Sequence, residues 1–170
     1  MRRSISLTAR ALAFLFAFAT LQLIWQGLRG TAVERVVVQN GIVRPAAWLV
    51  NGLTPGVQVR AGEHALLAAG GGLNILNGCE GIEALFLLCA ALLVAPGGAR
   101  SRGLGMLLGT VLVFVLNQAR ILTLFYVFRA DRALFGLLHG TVMPLVTVLL
   151  VCGYFHLWLA GGNRRAAPSC

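Results

Sequence analysis

The sequence predicts an all-α polytopic membrane protein with about four transmembrane helices. Of its 170 residues, 58% are hydrophobic and only 11% are charged, less than half of the roughly 25% typical of soluble domains. Runs of about 20 apolar residues, enough to span a bilayer, recur along the chain. This composition argues against a soluble enzyme, a disordered tail and a nucleic-acid-binding module. We expect one membrane-embedded domain over residues 1–170, with spans at 8–28, 78–96, 104–128 and 134–160.

The first run, residues 8–28, is predicted to be a retained membrane anchor. The basic start at Arg2 and Arg3 resembles that of a signal peptide. However, the apolar run exceeds the 7–15 residues of a signal-peptide core, and no small-residue cleavage site follows it. Trp25 lies near one end of the run, where an indole ring favours the membrane interface.

The segment at residues 29–77 is predicted to form a small outer cover between the first and second spans. Residues 33–53 mix apolar with charged positions, which is typical of an interfacial amphipathic helix. Gly41 and Pro45 weaken that helix, and we expect a break between its halves. Short strand-like stretches at residues 57–76 predict a hairpin or an extended cover.

The three later runs carry polar side chains that a membrane helix does not need for stability. Residues 82–95 of the second run cover roughly 21 Å of a roughly 30 Å hydrocarbon core. To span, that helix must begin near Cys79. The third run contains Arg120 and the fourth contains His139. Intramembrane polar groups are costly, so each of them is a candidate functional residue.

The arginines predict the orientation of the chain. All 14 basic residues are arginine, and they lie mostly between the apolar runs. The net charge of +9 is therefore spread as in a membrane protein and not gathered into a nucleic-acid-binding patch. The positive-inside rule predicts an inner-membrane protein with both termini cytoplasmic and residues 29–77 outside. The clusters that set this orientation are Arg2, Arg3 and Arg10, then Arg100 and Arg102, then Arg164 and Arg165.

With this topology, Cys79, Arg120 and His139 reach one layer near the outer face. Cys79 begins the second helix there. Arg120 lies roughly 9 Å below the outer end of the third helix, and His139 roughly 7 Å into the fourth. A thiolate is the nucleophilic form of cysteine and is favoured at a helix N-terminus or beside a cation. Histidine is the usual base and acid, and Arg120 suits a thiolate or an oxyanion. Asn117, one turn from Arg120, could orient it.

Simpler interpretations of the same residues remain open. Arg120 could pair with Glu80 or Glu83, or extend towards the membrane surface. The other cysteines show no metal-ligand spacing with histidine, and we expect Cys89 and Cys152 to be apolar filler. No metal or cofactor is predicted.

Three blocks of sequence resemble the signature blocks of the exosortase/archaeosortase family, in its compact form similar to the H type. They are Asn77-Gly78-Cys79-Glu80-Gly81-Ile82-Glu83-Ala84, then Leu116-Asn117-Gln118-Ala119-Arg120-Ile121 ahead of Phe125-Tyr126, then Leu138-His139-Gly140. Their order, spacing and host helices match, and they cover roughly residues 74–145.

The resemblance implies a membrane cysteine transpeptidase or protease. Its partners would be the membrane and exported proteins that end in a short motif, a transmembrane helix and an Arg-rich tail. Cys79 would be the nucleophile, with Arg120 and His139 as the other catalytic residues. The residues expected to bind substrate or support these three are Asn77, Glu80, Glu83 and Asn117.

Two non-enzymatic functions are alternatives. In a membrane assembly subunit, Arg120 and Glu83 would form a fixed interhelical pair. In a small transporter subunit, Glu80, Glu83 and Arg120 would line a polar path.

Overall fold

The computed structural model describes residues 6–75 and 80–166, with side chains through residue 161. The described chain is mostly helical, with one small sheet. Its helices are α1 (Leu7–Leu28), α2 (Ala32–Val38), α3 (Arg44–Leu53), α4 (Ile82–Val94), α5 (Ala99–Ala130), α6 (Arg132–Leu137) and α7 (Met143–Ala166). Two π-helical turns, Gln39–Val43 and Leu138–Val142, join α2 to α3 and α6 to α7, and Pro55–Val57 forms a 3₁₀ turn.

Three helices are long and apolar enough to cross a membrane. They are α1, α5 and the continuous helix Arg132–Gly161, which combines α6, the second π turn and most of α7. Three of the four predicted spans therefore coincide with helices of spanning length and apolar composition. The helix α5 extends beyond its predicted bounds at both ends.

The second predicted span is a shorter helix. With 13 residues, α4 covers only about 20 Å at 1.5 Å per residue. Gly81, at φ 74°, ends the helix on its N-terminal side, so Glu80 precedes α4. The prediction that this helix begins near Cys79 is therefore wrong, because α4 begins at Ile82, and Glu83 lies in its first turn. Cys79 and Asn77 lie outside the described residues.

The predicted amphipathic helix is continuous and does not break. Between α2 and α3 the backbone stays helical through the π turn Gln39–Val43. There the N–H of Arg44 donates to the carbonyl of Gln39, five residues back. Pro45 follows at once, and it has no N–H for an ordinary helical bond. The wider turn therefore replaces the expected break, just before the proline that would interrupt the hydrogen-bond ladder.

The predicted hairpin is a three-stranded antiparallel sheet. Its strands are β1 (Arg60–Ala61), β2 (Ala65–Leu67) and β3 (Leu73–Asn74), in the order β1-β2-β3. Arg60 pairs with Leu67, and Ala65 pairs with Asn74.

Two hydrophobic clusters hold the fold together. The larger joins the end of α1, the segment 32–75, the start of α4 and the second half of α5, with Val38, Val50, Leu66 and Phe125 fully buried. The smaller joins α4, α5 and α7 through Leu88, Leu92, Val113 and Val151. Although α4 is short, it packs against α1, α5 and α7. It is therefore the central helix of the membrane-facing part.

Candidate functional site

The middle of α5 presents a buried polar face. Asn117, Gln118 and Arg120 are 5%, 4% and 7% exposed. A charged side chain buried in an apolar helix bundle is costly to place there. In this bundle the three residues face the packed side of α5, where α4 and the segment 32–75 lie.

Asn117 packs directly against the chain that leads into α4. A Cβ atom on Gly81 would lie 2.8 Å from the Cγ atom of Asn117 and 2.9 Å from its Oδ1 atom. Gly81 also has φ 74°, a left-handed conformation that side chains disfavour. Both conditions favour glycine at this position. Because Cys79 is two residues away in sequence, the polar face of α5 lies beside the segment that carries the predicted nucleophile.

A cavity of about 270 Å³ lies at the start of α4. Arg120 lines it from α5, Gly81 and Glu83 line it from the start of α4, Phe18 from α1 and Thr147 from α7. Among the described residues no side chain caps α4, and the first backbone N–H groups of a helix have no partner within the helix. Helix N-termini carry a partial positive charge. Together with Arg120, this end of the cavity suits an anion or a developing oxyanion.

His139 lies in the π turn between α6 and α7 and is half-buried. Its ring stacks on Phe135 with a centroid distance of 5.3 Å and an interplanar angle of 10°. The structure brings His139 close enough to Arg120 for the two side chains to interact electrostatically. Single π turns inside α-helices are frequent at functional sites.

Glu80 is a buried carboxyl beside this site. It is 3% exposed, and neither of its oxygens has a hydrogen bond among the described residues. Burial raises the pKa of Glu80, and the nearby carboxylates of Glu83 and Glu34 raise it further. The charge of Arg29 and the nearby indole of Trp25, which lies outside hydrogen-bonding geometry, act in the opposite direction.

The other acidic residues nearby have partners from the segment after α1. Glu83 lies 3.9 Å from the guanidinium of Arg29. Glu34, only 6% exposed, accepts a hydrogen bond from the N–H of Gly30 at 2.5 Å and lies 3.7 Å from His64. Sequence reasoning missed Glu34 because it looked like part of the polar face of an amphipathic helix. The available signal of its burial was the stretch of valines around it, with Val33 before Glu34 and Val36 to Val38 shortly after it.

Gln118 is a second residue that sequence reasoning missed. Its Nε2 atom donates to the carbonyl of Ile42 at 3.3 Å, inside the first π turn. The side chain therefore connects the polar face of α5 to the segment 32–53. Gln118 lies next to Asn117 in the same sequence block, so the sequence could identify it as a candidate residue. The sequence could not identify Ile42 as its hydrogen-bond partner.

Within residues 6–75 and 80–161, no group of three or more His, Cys, Asp or Glu side chains is arranged to hold a metal ion. Cys89 and Cys152 are free thiols, and neither lines the cavity at Arg120. Comparison of the chain with family models, curated proteins and solved structures gives no match.

Proposed function

We propose that this protein is a membrane cysteine peptidase or transpeptidase of the exosortase/archaeosortase type. It would cleave the C-terminal sorting signal of exported proteins at the outer face of the cytoplasmic membrane. The observation that supports this most is the contact between Asn117 and Gly81, with Arg120 lining the cavity beside it. Two sequence blocks that are far apart in the chain are thereby packed together around one anion-favouring cavity.

In the proposed reaction, His139 takes the proton of the Cys79 thiol, and the thiolate attacks the carbonyl carbon of the scissile peptide bond. Arg120 and the N–H groups at the start of α4 stabilise the oxyanion that forms. The C–N bond then breaks, and His139 returns its proton to the leaving amine. The released amine carries the sorting helix, and the rest of the substrate remains on Cys79 as a thioester. An amine or water attacks the thioester, giving an amide or an acid and a free thiol.

The proposed topology has four crossings, with both termini cytoplasmic. The second crossing would be made by α4. A 13-residue helix is shorter than the hydrocarbon core of a bilayer, but α4 packs against α1, α5 and α7. Because protein and not lipid covers much of its surface, its ends do not have to reach both interfaces of the bilayer. The segment at residues 29–77 would then lie on the outer side, next to the site.

The test of this function is processing of a candidate substrate by Cys79→Ala. The substrate would be an exported protein from the same genome that ends in an apolar helix of about 20 residues and an Arg-rich tail. We expect Cys79→Ala to abolish its processing in membranes. Cys89→Ala is the matched control, because Cys89 lies on α4 and does not line the cavity, and it should process normally. Normal processing by Cys79→Ala would refute covalent catalysis at this residue.

A structural or transport function remains the second candidate, because Glu83 and Arg120 line the same cavity. Arg120→Lys separates the two. If Arg120 holds an oxyanion, lysine loses the planar fork of donors, and processing should fall by about 10²–10³. If Arg120 only pairs with a carboxylate, Arg120→Lys should be nearly silent, and removing the Glu83 carboxylate should rescue Arg120→Ala.

A further inference from the structure

The short helix α6 leads to His139 and is attached to α5 by its first turn and by Phe135. Asp131 separates the two helices, and its carboxylate accepts from the N–H groups of Ala133 and Leu134. Such a cap fixes where a helix begins. The six residues of α6 lie within the described chain, and Phe135 is half-buried while the rest are exposed. Phe135 is therefore the side chain that packs α6 against the larger hydrophobic cluster.

The ring of Phe135 contacts both an aromatic residue of α5 and the imidazole of His139. It meets the ring of Phe128 edge to face, with a centroid distance of 5.2 Å and an interplanar angle of 72°. Its stack on His139 is nearly parallel, at 5.3 Å and 10°. Aromatic rings prefer both arrangements. Because Phe128 belongs to α5, the three rings connect the helix that carries Arg120 to the turn that carries His139.

Phe128 is itself held by two neighbours. The guanidinium of Arg132 lies 5.3 Å from the centre of its ring, within the range of a cation–π contact. A Cβ atom on Gly71 would lie 3.7 Å from the Cε1 atom of Phe128, so the ring also packs against the loop between β2 and β3. The aromatic series therefore starts from a fixed point on α5 and ends at the imidazole.

The backbone around His139 leaves the orientation of its ring to such contacts. Residues four apart lie on one face of a helix, which brings the rings of Phe135 and His139 together. The π turn that begins at Leu138 is wider than an ordinary helical turn. The torsion that rotates an imidazole about its side chain has broad preferences. A stacked ring removes that rotation, because it fixes the plane of the imidazole.

We propose that Phe135 is a positioning residue, whose ring, held by Phe128, fixes the orientation in which the imidazole of His139 exchanges protons. This inference rests on the proposed function, in which His139 takes the proton of Cys79 and returns it to the leaving amine. Proton transfer needs heavy atoms about 2.6–3.2 Å apart. An imidazole that turns freely spends less time at that distance. Phe135 acts through His139 and takes no proton itself.

Two substitutions separate the ring of Phe135 from its apolar bulk. Phe135→Leu removes the ring and keeps an apolar side chain, whereas Phe135→Tyr keeps the ring. We expect Phe135→Leu to lower the kcat of processing by about tenfold with little change in KM, and Phe135→Tyr to keep most of the rate. Phe14→Leu is the matched control, because Phe14 stacks on Phe18 of the same helix at 6.3 Å and 7° without a histidine. It should change neither constant.

The decisive measurement is Phe135→Leu in a His139→Ala background. If Phe135 acts through the imidazole, its substitution should have no further effect on processing once the imidazole is absent. The same tenfold loss in both backgrounds would show that Phe135 only supports the fold, and it would overturn the proposal. A wild-type rate in Phe135→Leu would overturn it as well.

A chemical probe tests the stack without enzymatic activity. Diethyl pyrocarbonate modifies imidazole rings, and mass spectrometry of the full-length protein follows the rate at His139, with the exposed His156 as an internal reference. We expect Phe135→Leu to raise the rate at His139 several-fold and to leave that at His156 unchanged. Equal rates at His139 in wild type and variant would contradict the stack, whatever the processing assay shows. A raised rate, in a protein whose wild type processes no substrate, supports the positioning of the imidazole and contradicts the peptidase.

Discussion

Gly81→Ala should damage both the stability and the activity of this protein. A Cβ atom there would lie 2.8 Å from the Cγ atom of Asn117, closer than unbonded carbon atoms approach. The left-handed backbone, at φ 74°, costs an alanine about 1–2 kcal/mol. Overpacking against Asn117 adds about 1–3 kcal/mol. The expected total is about 2–5 kcal/mol, and relieving the clash would move Gly81 away from Asn117.

Substitutions at two other glycines allow the backbone cost and the steric cost to be measured separately. Gly30 has φ 76° with nothing within 4 Å of its Cβ position, and Gly153 lies in α7 with the same open space. Gly30→Ala therefore carries the backbone cost alone, and Gly153→Ala carries neither cost. The assay is the midpoint of thermal unfolding in detergent, together with processing at matched expression. We expect Gly153→Ala to be the most stable of the three variants, Gly30→Ala to be less stable and Gly81→Ala to be the least stable. Only Gly81→Ala should lose processing.

The double variant Gly81→Ala/Asn117→Ala should recover the part of the stability that is lost to the steric clash. It should not recover the part lost to the backbone. If Gly81→Ala behaves like Gly153→Ala in both assays, Gly81 does not pack closely against Asn117, and the contact that supports the proposed site is wrong.

Three further predictions concern topology, titration and proton transfer. Reporter fusions after Arg165 and within residues 55–60 should lie on opposite sides of the membrane; the same side would exclude the proposed topology. The raised pKa of Glu80 means that its ionisation opposes folding as pH rises above 4.5, the ordinary carboxyl value. Glu80→Gln should therefore unfold at a higher temperature than wild type at pH 7 and at the same temperature below about pH 4, and a gap that widens on acidification would contradict this. His139→Ala should slow processing by roughly 10²–10⁴ while its thermal midpoint stays near that of wild type, and an unchanged rate would remove His139 from the reaction.

The long helices were predictable from the sequence because their signal is local. A run of about 20 apolar residues needs no knowledge of its neighbours, and three such runs are helices of spanning length. The small sheet was also signalled locally, by glycines between short apolar stretches. In the site, the position of Asn117 one turn from Arg120 followed from helical spacing alone.

The remaining features depend on contacts between distant parts of the chain. The length needed to span a bilayer predicts a helix that begins near Cys79, but the left-handed Gly81 fits closely against Asn117 and α4 begins only at Ile82. The burial of Glu34 and the bond from Gln118 to Ile42 require the fold of the segment after α1. No periodicity in a single helix reveals such partners.

The shortness of α4 explains why the segment 32–75 is needed beside the site. Arg120 lies ten residues before the end of α5 at Ala130, or about 15 Å, which is farther from that end than the predicted distance of roughly 9 Å. Because α4 begins near the level of Asn117, it does not extend along the last turns of α5.

The segment 32–75 covers those turns, and three hydrogen bonds mark its path along α5. Gln118 donates to Ile42, Tyr126 bonds to Thr54 at 2.9 Å, and Arg129 donates to the carbonyl of Ala69 at 3.0 Å. The segment therefore replaces the missing turns of α4. The cavity at Arg120 lies ten residues before the end of α5, and α1, α4 and α7 supply the rest of its lining.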